Sequence, residues 1–377
     1  MGKRARWTWI LTVPTMLCWI LCFQQQGQAQ VDRTFERFSS EVENVSRRWD
    51  QEVSRVSGEY HRQATIVWER YRQEIDRIWD EFRRTTAKEW ADYSDDTAAR
   101  AVVDFDKGII DVEVVIPSAD PNAFQKGAAR VKEKFLETFA KEVSPGQPVL
   151  EGQIPTQTGQ VVTQQNVDRF AETEVQGTAR VEKRFRSQDN IERLKITARI
   201  PMASGHTHHR AKRYAPLAVK YGQERQLSPA RVLAVVHTES AFNPFARSPE
   251  GAIGLMQLIP RSGARDAYQA LYGEPRIVSV DYLFNPENNM NLGTVYVTLL
   301  RDRHLRDVQD PVKRDYLVIC AYNWGIGNVK RLVSQPNSVS REEVTALLRK
   351  RTPQETRDYL NKVLSRTTLY EPMVAGR

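Results

Sequence analysis

The chain has 377 residues, enough for two or three domains, and its 40% hydrophobic and 27% charged content is a globular balance that excludes general disorder. Of its three cysteines, Cys18 and Cys22 fall in an apolar leader and only Cys320 remains for the body, which excludes a disulfide framework and a cysteine-rich zinc site. The net charge of +8 arises from 55 bases interleaved with 47 acids, a balance that suits an anionic polymer or surface and argues against a nucleic-acid tract.

Lys3, Arg4 and Arg6 precede an uncharged stretch from Trp7 to Phe23, and the polar run behind it ends in the small-x-small pattern Gly27-Gln28-Ala29. This predicts a secretory signal peptide over 1–29 and a mature start near Gln30. An uncleaved anchor is the alternative, although the stretch is at the short end for a spanning helix. Lipidation needs a small residue just before the modified cysteine, whereas Leu17 precedes Cys18 and Leu21 precedes Cys22. The expectation is an exported protein of the periplasm or cell envelope, without lipid.

Between Val31 and Ile110 there is no proline, and the only glycines are Gly58 and Gly108. A long helix is therefore predicted from near Val31 to about Trp90, within a segment 30–97. Phe38, Trp49, Tyr60, Tyr71, Phe82 and Tyr93 recur at one interval of eleven, as do Val45, Val56, Val67 and Ile78, and Trp68, Trp79 and Trp90. Eleven residues in three turns is about 3.67 per turn, which keeps the apolar stripe on one face. Such a stripe needs an apolar partner. Self-association or packing on the rest of the chain is the simpler reading, and a helix lying on a membrane surface is the alternative.

From residue 98 the period changes. Val102, Asp104 and Asp106, then Ile109, Asp111, Glu113 and Val115, alternate around Asp106-Lys107-Gly108, which predicts two strands joined by a tight turn. Pro121 to Val143 reads as a helix with Phe124, Ala128, Val131, Phe135 and Phe139 on one face, Ser144 to Gln160 as a loop, and Leu194 to Ile200 as a last strand. Residues 98–201 thus read as a small α+β module whose acids line the wet face of a sheet. Residues 202–209 read as a hinge. Its His206, His208 and His209 have no neighbouring carboxylate or cysteine set, so no metal site is expected.

In 210–377, Ser228-Pro229 is a helix start, with serine at the N-cap and proline at the first helical position. The helix that follows, Ala230 to Thr238, is apolar on most faces and is closed by Glu239. A carboxyl group at the end of a buried apolar helix loses solvation of its charged form, so its pKa rises and it holds a proton near neutrality. That is what a general acid for glycosidic cleavage requires.

His237-Thr238-Glu239-Ser240-Ala241-Phe242-Asn243-Pro244 is followed by Ser248, Gly251-Ala252-Ile253-Gly254-Leu255-Met256-Gln257, Ala321-Tyr322-Asn323-Trp324-Gly325 and Glu355-Thr356-Arg357-Asp358-Tyr359-Leu360. In order and spacing these resemble the motifs of the lysozyme-like lytic transglycosylases. Upstream, Lys88-Glu89-Trp90 and Asp104-Phe105-Asp106-Lys107-Gly108 resemble the amino-terminal module of the membrane-bound lytic murein transglycosylase C family. The resemblance covers roughly residues 86 to 370 and leaves the eleven-residue repeat unexplained. Together with the helix and strand readings above, it gives the expectation of an α+β chain: a long amino-terminal helix, a small α+β module and a mainly α-helical lysozyme-like catalytic domain.

The resemblance further implies that Glu239 is the single catalytic acid and base. Ser248 and Gln257 match residues that hold the substrate's N-acetyl group and the neighbouring cleft, Tyr322 and Asn323 match the cleft wall, and Tyr359 matches the tyrosine that orients the acid. Hydroxyl and amide groups grip an acetamido sugar without charge, and a phenol hydrogen-bonds a carboxyl. Gly251 and Gly254 let the backbone approach a sugar ring or serve tight packing. Trp324 departs from the small residue expected before Gly325 and reads as a stacking platform or a core residue.

With one acid, the implied reaction cleaves the bond between N-acetylmuramic acid and N-acetylglucosamine of peptidoglycan strands and leaves a 1,6-anhydro end, with no metal or organic cofactor. A goose-type lysozyme would need a second carboxylate to activate water, and between Glu239 and Gln257 the only other acid is Glu250. A non-catalytic wall-binding tether built on the long helix is the third reading.

Overall fold

A computed structural model describes residues 66–375 together with Glu41, Arg48, Arg55 and Glu59. The chain divides into Met1–Gln73 and Glu74–Arg377. In the first unit Glu41, Arg48, Arg55, Glu59 and residues 66–73 are helical. The leader and the repeat members Phe38, Trp49 and Tyr60 lie outside the described residues.

The second unit opens on helical residues 74–78 (α1), which bury Ile75 and Ile78. The helix expected to reach Trp90 stops there. Trp79 turns inward instead and donates its indole N–H to the carbonyl of Thr97 at 2.6 Å, and Asp80 pairs with Lys183 at 2.7 Å. Phe82, Trp90 and Tyr93 therefore fall beyond the helix. Their spacing is satisfied by sheet contacts: the Phe82 and Tyr93 rings stack at 6.3 Å, and Trp90 and Tyr93 belong to a strand.

That strand, β1 (Glu89–Tyr93), pairs with β2 (Ala99–Asp104), which pairs with β3 (Ile109–Pro117). Then come α2 (Ala123–Phe139), a short hairpin of β4 (Glu142–Ser144) and β5 (Gln147–Pro148), α3 (Val167–Phe170), β6 (Arg180–Arg186) and β7 (Glu192–Pro201). The antiparallel sheet runs in the order β1-β2-β3-β7-β6. Asp104 Oδ1 accepts from the N–H groups of Asp106 and Lys107, and Gly108 takes φ +69°, so the expected tight turn joins β2 to β3.

α2 covers one face of the sheet with Ala128, Val131, Phe135 and Phe139, and Gly127 lets it close on Ile196, whose Cδ1 would lie 2.1 Å from any Cβ there. Phe124, expected on that face, points outward and is 40% exposed. The acids do not line one wet face, although Asp106 at the turn is 53% exposed. Glu113 is buried and paired with Arg100, whose guanidinium lies 4.0 Å over the Trp79 ring, and Asp111 pairs with Arg199. The 144–160 loop contains the β5 strand and buries Val149, Leu150 and Ile154. β6 was not legible because it is an exposed, mostly basic edge strand, with no buried face to impose a period of two on its apolar residues.

Residues 202–209 are not a free hinge. Met202 N–H donates to Gly108 O and Ala203 N–H to Gln153 O, both at 2.8 Å, and His206 already begins a helix. From there the chain is mainly helical: α4 (His206–Glu224), α5 (Pro229–Ser240), α6 (Gly263–Tyr272), α7 (Val280–Phe284), α8 (Pro286–Thr298), α9 (Pro311–Trp324), α10 (Ile326–Leu332), α11 (Arg341–Arg351) and α12 (Gln354–Val374). A core containing Leu233, Val236, Phe242, Met256, Leu317 and Tyr359 surrounds α5.

Arg210 of α4 bolts this helical part to the α+β module. Its side chain is 1% exposed, and it donates to Phe105 O at 2.6 Å and Gln153 Oε1 at 2.8 Å in the module and to Ala241 O at 3.1 Å, just past α5. Among the described residues no carboxylate forms an ion pair with it, and Asp106 acts on it by charge alone. Burial lowers its pKa to about 10, and carbonyl and amide dipoles solvate the charge. Trp90 and Phe245 add an aromatic contact at 4.8 Å across the same junction.

Candidate active site

The site is built on the last turn of α5. Ser228 Oγ accepts from Arg231 N–H and Pro229 occupies the first turn, as the sequence predicts. Val232 to Val236 are all buried, so α5 runs through the core rather than over the surface. Its end is abrupt: Ala241 (φ +50°) and Phe242 (φ +62°) both enter the left-handed region, and Ser240 Oγ donates to Leu255 O at 2.8 Å. This fixes Glu239, a half-buried residue, at the point where the helix stops.

Tyr359 of α12 donates its hydroxyl to Glu239 Oε1 at 2.7 Å. Burial pushes the Glu239 carboxyl up to about 7, against the opposing effects of the Tyr359 hydrogen bond and the positive charge of Lys88. Tyr322 of α9 is close enough for the Glu239 charge to act on it; its hydroxyl donates to Met256 O at 2.7 Å, and its ring lies 5.5 Å from that of Tyr296. Both phenols are held well above their ordinary range, mainly by burial, so they remain hydrogen-bond donors throughout the neutral range.

Glu239, Tyr322 and Tyr359 are thus gathered from three helices. Ser248 and Gln257 lie on the loop after α5. Ser248 closes a turn, its Oγ accepting from Ala252 N–H at 3.2 Å, and Gln257 takes φ +48° and donates Nε2–H to Gly254 O at 3.0 Å. Asn323 faces α12 instead, where its Oδ1 accepts from Thr356 Oγ1 at 2.9 Å. Trp324 packs against the helical core and remains partly exposed. Gly251 (φ +85°) has open space around it, whereas Gly254 (φ +76°) is hemmed in: a Cβ would lie 2.3 Å from both Asn289 Nδ2 and Leu283 O.

Asn289 was not legible in the sequence. Fully buried on α8, it accepts from Met256 N–H at 2.8 Å and donates to Ile253 O at 2.9 Å and Leu283 O at 2.8 Å, so one amide holds the Gly254–Gln257 loop in place. The Asn285-Pro286-Glu287-Asn288-Asn289 stretch offers several amides, and only folding selects the one that points inward. Likewise His237, which hydrogen-bonds Tyr370 at 2.8 Å, is held neutral by burial, with its pKa lowered to about 3.

His206 packs on Gly108 and His209 on Gly152. Among the described residues no group of three or more His, Cys, Asp or Glu is gathered as metal ligands would be.

The family described as Transglycosylase SLT domain matches residues 216–345, and that described as Membrane-bound lytic murein transglycosylase C, N-terminal domain, matches residues 57–213. A relative from Actinobacillus succinogenes called membrane-bound lytic murein transglycosylase C is 31% identical over 287 residues, covering 72% of this chain and 78% of that protein. The chain belongs to the membrane-bound lytic murein transglycosylase C family. A relative of the same name from Cronobacter sakazakii is 30% identical over 74% of this chain and 80% of its own. The 70 kDa soluble lytic transglycosylase Slt70 of Escherichia coli aligns over 43% of this chain and 24% of its own, at 28% identity and a TM-score of 0.37. Membership in this family accounts for both parts of the second unit, since the two matches meet at α4, the helix that carries Arg210.

Proposed function

We infer that this protein is a peptidoglycan-cleaving lytic transglycosylase in which Glu239 serves as both acid and base. The observation that carries the assignment of roles is the Tyr359–Glu239 hydrogen bond on a carboxyl whose pKa is raised to about 7. In the first step the protonated Glu239 donates to the oxygen between N-acetylmuramic acid and N-acetylglucosamine, and the substrate's own acetamido oxygen supports the cation at C1. In the second step the carboxylate takes the proton of the muramyl 6-hydroxyl, which closes on C1 as a 1,6-anhydro ring. Glu239 ends protonated, as it began, and no water is consumed.

Tyr359 orients the carboxyl and, by donating to it, steadies the anion formed between the two steps. Tyr322 lines the cleft beside it. Ser248 and Gln257 are assigned to the substrate's N-acetyl group and its surroundings, and Asn323 to the cleft wall through its bond to α12. We prefer the transglycosylase to a hydrolytic reading because between Glu239 and Gln257 the only other acid is Glu250, and the mass of the product tests whether Glu355, whose charge reaches Glu239, activates a water.

The relatives are named membrane-bound, which fits a cell-envelope location, and we assign the chain to the periplasm on the strength of its leader. Among the described residues no helix is long and apolar enough to cross a membrane. The function is tested by incubating the purified protein with murein sacculi and weighing the released muropeptides. Products lighter by one water than the hydrolytic ones identify the transglycosylase, and products of full hydrolytic mass overturn it.

A further inference from the structure

The α+β module reaches into the active site. Its segment 86–88 is fastened to the loop after α5 by Arg247 N–H donating to Thr86 O at 3.2 Å and Asn243 Nδ2 to Ala87 O at 3.5 Å, and the Trp90–Phe245 contact lies just behind. From the other side, Phe105 N–H donates to Lys88 O at 2.9 Å, and Thr86 Oγ1 accepts from the N–H groups of Lys88 and Glu89. The backbone at Lys88 is therefore held on both sides, and its ammonium is near enough to Glu239 to act on it by charge.

Lys88 is a cation without a strong partner. Among the described residues its one ion pair, with Asp106, is long at 3.6 Å, and that carboxylate is 53% exposed. Lys362 and Arg366 of α12 both repel it, and Arg366, on which the Asp106 charge also acts, donates to the neutral hydroxyl of Thr238 at 3.0 Å. Two cations of α12 thus stand close to Lys88 of the module, with Asp106 acting on Lys88 and Arg366, and of the three Lys88 acts on Glu239 while Arg366 bonds its neighbour Thr238. A partly desolvated excess of positive charge is an unfavourable arrangement in the free protein, and an anion laid against it relieves it. The glycan strands themselves are uncharged along the sugars. Their anionic groups are the carboxylates of the peptides attached to the lactyl arms of muramic acid.

We propose that Lys88, together with Lys362 and Arg366, forms a cationic rim that binds the peptide carboxylates of murein, so that the α+β module makes this enzyme selective for peptide-bearing over denuded glycan. This rests on the lytic transglycosylase reading above. The rim sets substrate choice, while Glu239 performs the chemistry.

The test compares two substrates on the full-length protein: sacculi with their peptides, and the same glycan stripped of peptide by an amidase with the lactyl carboxylates so exposed then capped as neutral methylamides. The readout is the ratio of kcat/KM on the first to kcat/KM on the second. We expect Lys88→Met to lower that ratio about fivefold and Lys88→Glu on the order of tenfold, mostly through KM, with Lys88→Arg restoring it. Raising the salt concentration should lower the ratio for the wild type and leave it nearly flat for Lys88→Glu. A ratio unchanged in Lys88→Glu overturns the proposal. Equal losses on both substrates also overturn it, since partial unfolding or an effect through Glu239 would act on both alike. If the wild type releases no anhydro products from either substrate, the parent reading has failed instead.

Discussion

Tyr359 and Glu239 are separated by 120 residues in sequence, yet the hydroxyl of one donates to the carboxyl of the other at 2.7 Å. Two opposing influences meet in that bond. Burial favours the protonated carboxyl, and the phenol favours the carboxylate, leaving a group poised at about 7 that can give a proton and take one back.

Replacing Glu239 by Gln keeps size and hydrogen bonding and removes the transferable proton. Release of anhydromuropeptides is expected to fall by about 10²–10⁴-fold with the fold intact by circular dichroism. For the wild type, kcat/KM should fall as pH rises through about 7, because the first step needs the protonated form. Substantial activity in Glu239→Gln would remove this residue from the chemistry.

Tyr359→Phe removes the one hydrogen bond that favours the Glu239 carboxylate. The basic limb of the pH profile should therefore move upward, and kcat should drop more than KM changes. A rise in KM with an unmoved pH profile would place Tyr359 in the substrate wall.

The same burial predicts how stability depends on pH. Between 4.5 and about 7 the folded protein holds the Glu239 proton that the unfolded chain has released, so this group makes the protein less stable as pH rises through that window. Glu239→Gln escapes the loss and should be more stable than wild type above pH 7, by up to about 3 kcal/mol, with the gap closing below 4.5. His237 works in the other direction: its folded pKa of about 3 is below the ordinary 6.5, so its contribution is lost as pH falls from 6.5 toward 3. Urea titrations of both proteins across this range check the two slopes.

Asn289→Leu leaves Met256 N–H, Ile253 O and Leu283 O without their buried partner. A destabilisation of about 3 kcal/mol or more is expected, with activity lost because the Gln257 loop shifts. Gly254→Ala should behave similarly, since its φ of +76° and the 2.3 Å approach of Asn289 and Leu283 leave no room for a methyl group. Thermal denaturation and murein release measured together decide this.

Arg210→Met should loosen the joint between module and helices. We expect a loss of about 2–4 kcal/mol and new proteolytic cleavage between Met202 and His206, while α5 retains its protection from hydrogen exchange. Unchanged proteolysis would mean that the Trp90–Phe245 contact and the Arg213, Arg247 and Asn243 hydrogen bonds hold the joint without Arg210.

The amino-acid sequence by itself determined the elements whose cause is local. Ser228-Pro229 starts α5, the run Val232 to Val236 drives it through the core, and Asp104 to Gly108 close the β2–β3 turn, each from the residue types in a short window. It also singled out Glu239 as the group whose proton burial would hold. The eleven-residue spacing was real in sequence but misleading beyond residue 78, because Trp79 and Tyr93 find better partners in Thr97, Phe82 and Arg100 than a continued helix could offer. The Tyr359–Glu239 pairing was expected from the motif resemblance and took its 2.7 Å geometry from the fold. Only the tertiary structure decided that Asn289 rather than its neighbours ties the Gln257 loop and that Arg210 and Lys88 carry the module to the cleft. These are contacts between residues far apart in the chain, and no local pattern encodes them: a buried polar group shows its partner only once packing has removed the water that would otherwise satisfy it.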